Sequence, residues 1–158
     1  LNSVEQAKSK PVTRSLSGAD VAHRIRTECP NAVVGYDESD IWVTPESILD
    51  TTRVLKESED LDFAFLTAIT AVDYIEYFEL VYQLLSMKFN WNVVVKTKLF
   101  DRDNPTVNSV VELWKGAELQ EREIWDLMGI HFEGHPNMKR ILLWEGFDGH
   151  PLRKDYLG

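Results

Sequence analysis

FAFLTAITAV (Phe63–Val72), FELVYQLLSM (Phe78–Met87) and VVVKTKL (Val93–Leu99) are three apolar segments separated only by short acidic, aromatic or asparagine-containing turns. Each has the length of a strand and is rich in β-branched or aromatic residues, which pack well on a pleated surface. The lysines spaced by two in the third segment place one face in water, as an antiparallel or mixed sheet permits. Asp73 and Glu79 interrupt the first two windows, which fall well short of the roughly 20 apolar residues of a membrane-spanning helix.

Helical signals lie on both sides of this block. Ser17 and Asp20 have the spacing of a helix start, and Val21, Ile25 and Cys29 then recur every four residues up to Pro30. Val33–Tyr36 and Ile41–Val43 flank the turn-like D-E-S-D and read as a hairpin. Thr44 and Pro45 open a second helix carrying Ile48, Thr52 and Leu55 on one side. After the D-R-D-N-P turn the pattern predicts a short helical piece, Val107–Trp114, and a longer helix, Glu118–Met128, stopped at Gly129. Gly134, Pro136, Gly146, Gly149 and Pro151 forbid a long element beyond it. The expected class is α+β: a two-layer domain with a mixed or antiparallel sheet, helices mainly on one face, and an extended C-terminal tail. Its expected divisions are a flexible arm over residues 1–16, a core over 17–133 and a docking segment over 134–158.

The 158 residues suit one domain. A formal net charge of −9 disfavours a non-specific hold on nucleic acid or anionic lipid, since the long-range interaction is repulsive. The one cysteine, Cys29, excludes an internal disulfide and a four-thiolate cluster supplied by this chain; its place in the helical stripe points to core packing.

On a helical wheel of Glu118–Met128, Leu119, Ile124, Leu127 and Met128 share one half-circle, and Glu118, Arg122 and Asp126 stack opposite as a solvated charge row. Glu123 falls in the apolar half. A lone buried carboxylate is costly, so Arg140 or Arg153 is the expected partner. A catalytic pair of Glu121 and Glu123 is the less favoured reading, because alternate helix positions point apart. His131 and His135, with His150 as a third ligand, have metal-site spacing, but Gly134 and Pro136 break the helix that would set the geometry. The run G-H-P-L-R-K-D-Y-L-G (Gly149–Gly158) combines apolar anchors with cationic donors and suits docking, either on its own domain or in a partner groove.

The ordered motifs E-R-E-I-W-D-L-M-G-I, H-P, K-R-I-L-L and G-H-P-L-R-K-D-Y, spread over Glu121–Tyr156, resemble the family of the C subunit of respiratory complex I, the small cluster-free peripheral-arm component of the NADH:quinone oxidoreductase. T-A-V-D (Thr70–Asp73) is compatible with it; Leu119 and Met128 stand where relatives often carry aromatic residues. The resemblance implies a chain that binds no cofactor and no metal and has no catalytic residue of its own, with iron-sulfur clusters, FMN and quinone held in partner subunits. It implies contact with the D subunit near the quinone site, the B and I iron-sulfur subunits as further neighbours, and a peripheral place on the cytoplasmic side of the membrane or its matrix or stromal equivalent. It marks Glu121, Arg122, Glu123, Asp126, Gly129, His135, Pro136 and Arg140, and then Pro151, Leu152, Arg153, Lys154, Asp155 and Tyr156, as signature and interface residues that latch the helix to the tail. Similar subunits of membrane-bound hydrogenases or of ferredoxin- or F420-type quinone-reducing complexes are the alternative, and a small metal-dependent hydrolase a remoter one.

Overall fold

The computed structural model describes residues 12–158. The chain runs β1 (Arg14–Ser15), α1 (Gly18–Glu28), β2 (Val33–Tyr36), β3 (Asp40–Val43), a 3₁₀ turn (Pro45–Ser47), α2 (Ile48–Glu57), β4 (Phe65–Asp73), β5 (Phe78–Ser86) and β6 (Trp91–Leu99). Then follow β7 (Thr106–Asn108), α3 (Ala117–Met128) and β8 (His131–Glu133). The main sheet has the order β2-β3-β6-β5-β4, with β1 also paired to β6. It is mixed: β4, β5 and β6 form an antiparallel meander, while β3 and β1 each join β6 in parallel. The first eleven residues of the expected arm lie outside the described residues, and Arg14 and Ser15 are already in sheet register with Trp91 and Asn92.

Side chains alternate across a pleated sheet, and the two faces differ accordingly. Phe78, Leu80, Tyr82 and Leu84 of β5 and Val93, Val95 and Leu99 of β6 are buried against the helices. Trp42, Val81, Val94, Lys96 and Lys98 lie on the opposite, partly exposed face. The helices supply matching stripes, Val21, Ala22 and Ile25 from α1 and Ile48, Thr52 and Leu55 from α2, which completes the expected α+β layering.

Two local expectations are corrected. Val107–Trp114 is not helical: Thr106–Asn108 is a strand pairing in parallel with β8, followed by turns that lead into α3. The partner strand lies more than twenty residues downstream, beyond what local periodicity can register. The start of α1 also depends on a different residue from the one its spacing suggests. Ser17 makes no side-chain cap; instead Gly18 N–H donates to Glu38 O at 3.1 Å, and a Cβ on Gly18 would sit 2.2 Å from Asp37 O. The turn between β2 and β3 comes so close that only glycine fits.

Gly18→Ala is therefore expected to lower stability by about 1–3 kcal/mol in urea unfolding. Gly35→Ala, where a Cβ meets nothing within 4 Å, is the control expected to stay within about 0.5 kcal/mol.

A carboxylate-anchored C-terminal face

Helix α3 turns the face Ala117, Glu121, Ile124 and Met128 toward the interior, a stripe at i, i+4, i+7 and i+11. Its phase differs from the expected one. Leu119, counted in the apolar half, is 56% exposed, and Glu123 is exposed at the margin of the shallow groove between α3 and β4. The Glu123 expectation is thus overturned, and neither Arg140 nor Arg153 reaches it. The cause is that α3 is covered on two sides, by the sheet and by the C-terminal segment, so the wheel's polar side is not a solvent side. Glu121 and Asp126 are fully buried instead.

Asp126, expected in a solvated row, is the centre of the arrangement. One oxygen, Oδ2, accepts the consecutive backbone N–H groups of Ile141, Leu142 and Leu143 at 3.1, 2.8 and 3.0 Å. Its Oδ1 accepts from Arg140 Nη1 at 2.7 Å. Burial alone would push this carboxyl upward, but those three amides and the guanidinium outweigh it and hold the pKa at about 2. Arg140 continues past the carboxylate, donating to the carbonyls of Asp126, Phe147 and Gly149 and lying over the rings of Trp125 and Phe147. Arg122 donates to the carbonyls of Lys139 and Arg140. His135 uses Nε2–H on Glu118 O at 3.0 Å and accepts Asn137 N–H at Nδ1. Pro136 is exposed beside it.

Gly129 ends α3 at φ +75°, and a Cβ there would lie 2.7 Å from the His150 ring, whose Nδ1 bonds Asp126 O at 2.9 Å. Gly149 is required in the same way, with a Cβ placed 2.7 Å from the Tyr156 ring. These two close approaches stack His150 and Tyr156 onto backbone and bring the tail back to the domain.

The tail is held by a second carboxylate that sequence reading did not single out. Asp73, at the end of β4, accepts from Arg102 Nη1 and Nη2 at 2.7 and 3.0 Å and from Lys154 N–H at 2.9 Å. The paired guanidinium, opposed by burial, holds its pKa well below the usual range. Arg102 also reaches Asp155 at 3.2 Å, and Arg153 grips the same carboxylate at 2.9 and 3.0 Å. Both guanidiniums lie over the buried ring of Phe78, at 4.5 and 5.0 Å from its centroid. Pro151 is half-buried, and Leu152 N–H donates to Leu127 O at 2.9 Å. The segment is thus a run of turns tied to its own domain rather than an extended ribbon, because buried carboxylates wait for its amides and cations. No local signal marked Arg102, since its partners stand 29 and 53 residues away.

Glu121 is buried against Ser109 and Val110: Ser109 Oγ lies 2.6 Å from Oε2, and Val110 N–H donates to Oε1 at 2.8 Å. Burial, only partly offset by these contacts, pushes its pKa up to about 7. Tyr82, on β5, is pushed upward by burial and by the Glu121 charge. Glu121 and Glu123 do not flank a common space. His131 is exposed on β8, while His135 and His150 are each spent on a carbonyl. Among the described residues no three His, Cys, Asp or Glu side chains gather as a metal site, and no helix is long and apolar enough to cross a membrane. Cys29 lies at the end of α1, partly buried against the core.

Among the charged residues exposed on this framework stand large apolar side chains. Leu142, Trp144 and Leu152 are 59, 69 and 58% exposed, although the backbone beneath them is tightly held.

Residues 41–158 match the family model described as respiratory-chain NADH dehydrogenase, 30 Kd subunit. The C subunit of an NADH-quinone oxidoreductase from Roseiflexus sp. is 40% identical over 148 residues, covering 89% of this chain and 84% of that one. The corresponding C subunit from Moorella thermoacetica is 46% identical over 124 residues, covering 77% and 82%. Among solved structures, a chain of the membrane-bound sulfane sulfur reductase, an archaeal respiratory membrane complex, superposes with a TM-score of 0.68 at 31% identity, covering 88% of this chain and 85% of that one.

Asp126→Asn removes the charge and turns an NH₂ group toward Arg140 or the three amides. Its expected cost is about 3–5 kcal/mol, read as a loss of thermal midpoint, because Arg140 is left uncompensated. The sign for Glu121 is opposite. Its pKa is raised from the ordinary 4.5 in the folded state, so its contribution is fully present below pH 4.5 and is lost as pH rises through about 7. Glu121→Gln should abolish that slope and raise stability at pH 8 by on the order of 1–3 kcal/mol relative to the parent, with little change at pH 4.

Proposed function

The chain belongs to the family of the respiratory-chain NADH dehydrogenase 30 Kd subunit, and we propose that it serves as a cluster-free peripheral-arm subunit of a complex I-type NADH:quinone oxidoreductase. The supporting observation is the division of labour on the C-terminal face: buried carboxylates hold the backbone, and apolar side chains point away from it. A rigid backbone displaying Leu142, Trp144 and Leu152 suits a docking surface, since its ordering cost is met before a partner arrives.

On this reading the face formed by α3, the 140–149 loop and the tail meets the partner that carries the quinone cavity, the D subunit, with the B and I iron-sulfur subunits as further neighbours. Flavin, clusters and quinone belong to those and other partners. The charged groups Arg122, Asp126, Arg140, Arg153 and Asp155 act within this chain as a latch, while Lys154 remains exposed at the rim, where a cation steers association. The chain sits peripherally, as part of a membrane complex, on the cytoplasmic or equivalent side. A second reading, the corresponding subunit of a related membrane-bound respiratory complex, is supported by the archaeal structural relative; the set of co-purifying subunits separates the two.

Leu142→Asp tests the docking surface without disturbing the core. Co-purification with the quinone-cavity subunit is expected to fall by about tenfold or more, the scale of a single interface hot spot, while the thermal midpoint of the isolated chain stays unchanged. Undiminished co-purification would sink the reading.

A further inference from the structure

A groove of about 870 Å³ opens where β3, the 3₁₀ turn and the end of β6 meet the Phe100–Pro105 loop. Its walls are apolar and partly aromatic, with Trp42, Val34, Pro45, Phe100 and Pro105 among them. Phe100 and Val34 are 68 and 69% exposed, a poor arrangement for a surface meant to stay wet.

The rim is acidic. Glu46 and Asp101 make no ion pair among the described residues, and Asp101 accepts the N–H groups of Asp103 and Asn104 at Oδ1. Of the two nearby lysines, Lys96 is paired with Asp40 at 2.7 Å and lies over Trp42, while Lys98, on the groove wall itself, lies over Tyr77 at 4.7 Å and makes no ion pair among the described residues. The chain thus sets its own lysines on the adjoining rings, and among the described residues no cation lies over Phe100, whose ring packs against that of Tyr77. An aromatic wall beside two carboxylates suits a guanidinium or ammonium with an apolar stem.

We propose that this groove receives a lysine or arginine side chain, flanked by apolar residues, from an extended segment of a neighbouring polypeptide. The inference rests on the chain working as one component of an assembly, but not on the C-terminal face being its contact. The two surfaces are linked by one loop: Phe100 and Asp101 line the groove, and Arg102 turns the other way to hold the tail. Occupation of the groove therefore bears directly on the loop that fixes the tail's anchor. The net charge of −9 adds a long-range attraction for a basic segment.

The test places a photo-crosslinking phenylalanine at Phe100, and separately at Leu142, in the full chain within its assembled complex. The expected result at Phe100 is a link to a peptide of another polypeptide with Lys or Arg within about two residues of the attachment point, that being the reach of one long side chain. Glu46→Gln combined with Asp101→Asn, which keeps the turn acceptor, should cut the yield of that link by about two- to fivefold for each ion pair removed, with no change in thermal midpoint. Absence of a link, a link to a second copy of this chain, a linked peptide without a basic residue, or an unchanged yield in the double variant would each overturn the proposal. A link from Leu142 with none from Phe100 would overturn it while leaving the role of the C-terminal face intact. Loss of both links would overturn the reading as a complex component as well.

Discussion

Three consecutive backbone amides converging on one buried carboxylate oxygen are the constraint from which the C-terminal half of this molecule follows. A carboxylate inside a protein is tolerated only when donors surround it, and Asp126 obtains four from the protein itself: Ile141, Leu142 and Leu143 from the backbone and Arg140 from a side chain. Because the amides are consecutive, the chain must curl about the oxygen, and the loop loses its freedom to extend. Arg140, which neutralises the charge, then ties the far end of the same loop through Phe147 and Gly149. The helix, the loop and the beginning of the tail become one body.

Asp73 repeats this logic at the edge of the sheet. It stands on β4, accepts a two-pronged bond from Arg102 and takes the N–H of Lys154, joining the meander to the last residues of the chain. The two anchors lie on different elements, so the tail is fixed at both ends by electrostatics rather than by a continuous hydrophobic seam. The apolar residues between them need not face inward. That is how a compact domain can keep Leu142, Trp144 and Leu152 at its surface without losing order. Glu121 follows the same rule with fewer donors, and its proton affinity rises instead of falling.

Periodicity made the meander legible. V-V-V-K-T-K-L alternates as a half-buried strand must, and Phe78, Leu80, Tyr82 and Leu84 occupy the core side of β5. The stop at Gly129 was equally readable, because a left-handed residue after an apolar helical run has few alternatives to glycine. Glu123 and Asp126 were misplaced for one physical reason: a helical wheel divides a helix into one inside and one outside, whereas α3 is packed on two sides. The strand at Thr106–Asn108 was lost because three residues carry too little pattern without their distant partner.

The order of residues alone determined which segments can be strands or helices, where the chain must turn, that no thiolate cluster can be built from one cysteine, and, through the linked C-terminal motifs, the family. Only the tertiary structure decided which carboxylates are buried, which arginine serves each of them, and that the tail folds onto its own domain. Helices, and strands long enough to show an alternating pattern, are signalled by residues within a few positions of one another. The fate of a charge depends on what arrives from 29 or 81 positions away, and that is set only when the chain has closed on itself.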